Sequence, residues 1–138
     1  MSQNREWNFG THRARLESSD LLVFRLEGNV GLADAREIVR IFQQAAYYKP
    51  VFAVAHLSNA NSNKEVRDYL SQNLRSRWMQ GLVLNGANPM QKTALKAVLI
   101  SFYLTGWNNV SVEFADSEAQ ANALTVKLRL QPKPSRAA

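Results

Sequence analysis

The sequence predicts a single α/β domain of order ββαβαβαβα, with a mixed, mainly parallel sheet and helices packed against it. Three observations carry this. The segment "VFAVAHL", 51–57, is almost continuously apolar, as a strand buried on both faces requires. "LADAREIVRIFQQAAYYK" sets Leu32, Ala35, Ile38, Val39, Phe42, Ala45 and Ala46 at helical spacing. Strand-like and helix-like segments then alternate, which implies right-handed crossovers into one sheet.

The elements follow in order. Residues 1–12 are polar and read as a flexible N-terminus. "ARLESSDLLVFRLEG" holds two short apolar runs around the turn-like "ESSD", giving antiparallel strands over Arg13–Glu17 and Leu21–Glu27. "GNVG" breaks the pattern, and the first helix runs until Pro50 ends it. After "VFAVAHL", the stretch "NKEVRDYLSQNLRSRW" puts Val66, Tyr69, Leu70, Leu74 and Trp78 on one helical face. "QGLVLNG" gives a short strand over Gly81–Leu84. Pro89 suits a helical first turn, and "MQKTALKAVLISFYLT" runs to Gly106, a fitting C′ residue. "NVSVEFAD" alternates as a strand, and "SEAQANALTVKLRL" gives the last helix with Ser117 as N-cap. The domain is expected over 13–130, followed by a disordered basic tail over 131–138.

Bulk composition narrows the functional classes. The 138 residues are 46% apolar and 20% charged, as in a globular domain. The chain has no cysteine, and His12 and His56 lack metal-ligand spacing, so no metal or cofactor is expected. No secretory h-region and no membrane-spanning run are visible, which predicts a cytoplasmic protein. The net charge of +6 is concentrated in Lys127, Arg129, Lys133 and Arg136. Without those four, 13 basic residues face 11 acidic ones, and specific nucleic-acid binding is not expected.

The sharpest feature is "HLSNANSNKE", where the apolar strand runs into amides and hydroxyls. Ser62 and Glu65 have capping-box spacing, which alone would account for Ser62. Asn59, Asn61 and Asn63 suit turns. If the strands are parallel, this loop and Asn85–Asn88 share the carboxyl edge of the sheet, where open α/β sheets bind ligands. His56, Ser58, Asn59, Asn61, Ser62, Lys64, Arg67, Asn85 and Asn88 are therefore the candidate partner- or ligand-binding residues. No catalytic residue is predicted. "GxSxG" is absent, "GANPMQKT" lacks the Walker spacing, and no acid precedes Glu65 to orient His56. The third helix is apolar on most faces, with Leu95, Val98, Leu99, Phe102, Tyr103, Ile100, Leu104 and nearby Trp107. Packing beneath a neighbour, a homodimer face and the wall of an apolar pocket all fit that pattern. Tyr47, Tyr48, Trp78 and Met79 near helix ends suit an interface.

The element order, "HLSNANSNKE" and "NVSVEFADSEAQANAL" together resemble the STAS domain family, especially its SpoIIAA-like and SEC14-like branch. The first motif is similar to the family's strand ending in Asp-Leu-Ser. The second is similar to its closing strand followed by Ser-x-x-x-Ala. The resemblance covers about residues 13–126. It implies a non-enzymatic regulatory module that docks a protein partner, such as a kinase or anti-sigma-like regulator, through the 56–67 loop and helix. In such domains a serine in the loop is the phosphorylation switch, and the matching positions are Ser62 and Ser58. The loop departs from the family pattern: Asn61 precedes Ser62, Asn63-Lys64 follows it, and His56 stands for the usual Asp. The SEC14-like branch implies the alternative of a small apolar or lipid-like ligand. A homo-oligomer, a homodimer in the simplest case, is the third reading.

Overall fold

Period-2 patterning decides which side of the sheet each residue serves. The computed structural model describes residues 5–104, 106 and 110–130. Its strands are Arg5–Phe9 (β1), His12–Ser18 (β2), Leu21–Val30 (β3), Val51–Ser62 (β4), Met79–Asn85 (β5) and Ser111–Ala115 (β6). The helices are Leu32–Ala45 (α1), Lys64–Asn73 (α2), Pro89–Leu104 (α3) and Glu118–Leu130 (α4). The six strands lie in chain order in one sheet, antiparallel from β1 to β3 and parallel from β3 to β6.

Each parallel crossover advances by one strand, so helices of one crossover hand fall on one face. That face buries Leu22, Phe24, Ala53, Ala55 and Leu84 against Ile38 and Phe42 of α1, Val66 of α2 and Phe102 of α3. The helix α4 follows the last strand and turns to the opposite face. There Ala121 and Leu128 pack on Phe52, Val54, Val83 and Ala115. The near-continuous apolar run in β4 is thus read by both layers, Phe52 and Val54 by one and Ala53 and Ala55 by the other.

Three expectations are corrected. The segment 1–12, expected to be flexible, supplies edge strand β1, so the order is βββαβαβαβα. Trp7 and Phe9 drive this: Phe9 is buried, and Trp7 Nε1 donates to Gln44 Oε1 at 3.1 Å beneath the Arg5 guanidinium. The helix expected to reach Trp78 stops at Asn73 because Leu74 turns extended. A 3-10 turn, Ser76–Trp78, then leads into β5, and Leu74 and Trp78 pack on the core from outside α2. Ser62 is not the N-cap of α2. Strand pairing continues through Val30↔Ser62, and Asn63 Oδ1 accepts the Val66 N–H at 2.9 Å. The reciprocal box instead forms at α3, where Asn88 and Gln91 exchange backbone-to-side-chain bonds of 2.7 and 2.8 Å. Of the three readings open for the apolar third helix, the exposure of Met90, Ile100 and Leu104 disfavours full burial beneath a neighbour. Ser117 accepts the Gln120 N–H as the expected cap of α4. Trp107 and the tail 131–138 lie outside the described residues.

Candidate functional site

Two adjoining concavities occupy the carboxyl end of the parallel strands, one on each face. On the α4 face the register sets Arg25, His56, Asn85 and Ala115 side by side across β3, β4, β5 and β6. The first three positions interrupt columns that are otherwise apolar, such as Phe52 and Val54 below His56. Asn85 Nδ2 lies 2.9 Å from His56 Nδ1, so the carboxamide and the imidazole are hydrogen-bonded across β4 and β5. Arg25 forms a two-pronged pair with Glu118 in the first turn of α4, at 3.1 and 3.0 Å. Ser58, Gly86, Asp116 and Ser117 complete a polar pocket of about 200 Å³. Gly86 has φ +83, and a Cβ there would stand 2.5 Å from Ser58 Oγ, so both conformation and space demand glycine. The carboxamide of Asn85 is buried, and its Oδ1 has no partner among the described residues.

Burial, and secondarily the neighbouring Arg25 charge, push the His56 pKa below its ordinary value of 6.5, while Glu118 and Glu17 oppose this weakly. A His that protonates less readily in the folded chain favours unfolding in acid. Stability is therefore expected to be full above pH 6.5 and to decline as pH falls through 6.5 toward the lowered value. His56→Gln should flatten that segment of a melting-temperature profile. An unchanged slope in the variant would show that His56 is not its source.

A bulge opens the second concavity. Between Arg25↔His56 and Glu27↔Asn59, β4 carries one residue more than β3. The extra residue flips the alternation, so Leu57 and Ala60 both face the α1–α3 layer and Ser58 borders both concavities. Beneath α3 lies a cavity of about 670 Å³. Its floor includes Phe24, Ala55 and Leu84, and its roof is Leu95, Val98, Leu99 and Phe102. Its mouth carries Asn61, Ser62, Arg67, Asn88 and Gln91. Gln91 Nε2 donates to the Ala60 carbonyl and so ties α3 to the end of β4.

The predicted site residues are thus divided between two faces. His56, Ser58 and Asn85 line the polar pocket; Asn61, Ser62, Arg67 and Asn88 border the apolar cavity. Asn59 pairs through its backbone with Glu27. Lys64 borders neither space and pairs with Asp68 at 2.8 Å on the surface. Sequence reasoning missed Arg25 and Glu118. Arg25 was legible as the polar residue that breaks the Leu21, Val23 column of β3. Tyr47 and Tyr48 are exposed and stack edge to face. Among the described residues no helix is long and apolar enough to cross a membrane.

No family model and no curated protein matches the chain. A solved structure does: an uncharacterized protein from the DUF3478 family of Shewanella loihica PV-4, described as having a SpoIIAA-like fold. The two share 11% identity, with 88% of this chain and 91% of that one covered, at a TM-score of 0.57. At that identity the likeness is one of architecture, and the chain has the STAS/SpoIIAA-like fold.

Proposed function

We propose that this protein is a non-enzymatic, cytoplasmic binding module for a small apolar, lipid-like molecule, held between the sheet and α3. The observation that carries this reading is the cavity of about 670 Å³ with its apolar floor and roof. Ligand sites run roughly from 300 to 1,000 Å³ and are mostly apolar with a few placed polar groups. A void of this size forfeits dispersion contacts that a ligand would restore. The polar mouth supplies orientation, and α3 supplies the apolar roof through Leu95, Val98, Leu99 and Phe102.

Native mass spectrometry of the protein from its own host tests this. A retained apolar molecule, removable by solvent extraction and restoring the melting temperature when added back, is the expected result. A bare chain whose melting temperature ignores long-chain apolar compounds would overturn the reading.

A regulatory docking role for the 56–67 segment is the second reading. Its support is Arg67 Nη1, 3.4 Å from Ser62 Oγ and thus in place for a phosphate on that serine. A phosphate on Ser62 or Ser58 in the same spectrum would favour it, and an unmodified chain would count against it. The subunit count would test self-association through the exposed side of α3.

A further inference from the structure

We infer that the ligand of the apolar cavity is a single-chain amphiphile with a carboxylate head, and that Arg67 binds the head at the cavity mouth. This rests on the reading of the cavity as a ligand site. Arg67 stands in the first turn of α2, partly buried, and borders the cavity. Its Nη1 donates to the Ser62 carbonyl at 2.8 Å, which holds the guanidinium in place. No carboxylate pairs with it among the described residues; other cations without an acid partner, such as Arg13, Arg36 and Arg75, are exposed, whereas Arg67 is partly buried. A guanidinium drawn partly out of water without a counter-ion is costly unless a ligand anion supplies one.

The surroundings select the anion. The positive end of the α2 dipole adds to Arg67 at the same place. Lys64, the next cation, is engaged by Asp68, so one full positive charge faces the mouth. That balances a carboxylate better than a doubly charged phosphate. The planar guanidinium also matches a carboxylate fork. Behind it Leu70 and Leu74 of the α2 segment and Val98 and Leu99 of α3 offer a continuous apolar path for one chain.

Isothermal titration with hexadecanoic acid and hexadecan-1-ol separates the head from the tail, since both carry the same chain. The acid is expected to bind at least about tenfold tighter, equivalent to ~1.4 kcal/mol. Arg67→Met should close the gap between acid and alcohol by weakening the acid, with a melting temperature like that of the unaltered protein showing that the variant is folded. Arg67→Lys should keep part of the preference. Equal binding of acid and alcohol by the unaltered protein would overturn the carboxylate inference and leave the cavity reading standing. Binding of neither would remove both. Hexadecyl phosphate binding more tightly than the acid would overturn the choice of head group.

Discussion

Ala55→Phe is expected to lower apolar-ligand affinity by at least about tenfold, or ~1.4 kcal/mol, without unfolding the protein. Ala55 lies mid-strand in β4, between Phe24 of β3 and Leu84 of β5 in register, and all three border the cavity. A phenyl group there enters existing space instead of displacing neighbours. Filling a void commonly stabilises by about 0.5–2 kcal/mol, so the melting temperature of the ligand-free variant should hold or rise. The contrasting substitution is Ala121→Leu on the other face. Ala121 is fully buried among Phe52, Val54, Val83 and Leu128 and borders neither concavity. Overpacking should cost about 1–3 kcal/mol there. The two faces therefore predict opposite signs for the same kind of change. If Ala55→Phe destabilises as Ala121→Leu does, the space beneath α3 is not available to a ligand.

The alternation of β4 was legible because Val51–Leu57 is apolar on both sides, and helices on both faces followed from that. What the sequence did not announce was the extra residue after His56. Nothing in "HLSNA" distinguishes a bulge from a regular strand end, yet it sends Ala60, Asn61 and Ser62 to the cavity and leaves His56 on the α4 face. A row of polar residues read as one loop is therefore two sites. The N-cap of α2 was misread by one position for a related reason. Ser62 and Asn63 are nearly equal as caps by type, and the choice was made by β3, whose Val30 holds Ser62 in the sheet. Local preference was indifferent there, and tertiary pairing decided.

The apolar third helix left three options open, and its neighbours chose among them. Its inward residues Leu95, Val98, Leu99 and Phe102 face the cavity, Met90 is exposed at the cavity rim, and Ile100 and Leu104 face solvent. A helix that is apolar on both sides and roofs a cavity fits the wall of a ligand site better than a helix locked in a core. Edge strand β1 was missed because Trp7 and Phe9 are two apolar residues in a polar stretch. Alternation over five residues is a weak signal until Gln44 on α1 gives the indole its partner.

His12→Leu is expected to cost about 2–4 kcal/mol, the range for a buried polar hub whose partners are left unpaired. In the sequence this residue counted merely as a histidine without metal-ligand spacing in a loose N-terminus. In the fold it is 1% exposed. Its Nδ1 accepts the Glu27 N–H at 3.0 Å, so Nε2 carries the proton. That proton faces the Asn29 carbonyl at 3.2 Å and Asp34 Oδ2 at 3.4 Å. Asp34 Oδ2 in turn accepts the Gly31 N–H at 2.9 Å at the start of α1. One neutral imidazole therefore joins β2, the end of β3 and the first turn of α1. Leucine keeps the bulk and the contact with Phe9 but leaves the Glu27 N–H and the Asn29 carbonyl, both in part-buried bonds, without the imidazole as partner. Asp34→Ala removes the helix-start bond and the longer contact to Nε2 but leaves both backbone partners of the imidazole, and should cost about 1 kcal/mol. His12→Gln, which can offer an oxygen and an N–H along a similar line, should recover part of the loss. Denaturant unfolding of the three variants reads this order directly. A His12→Leu cost no larger than that of Asp34→Ala would mean that the imidazole fills space and little else.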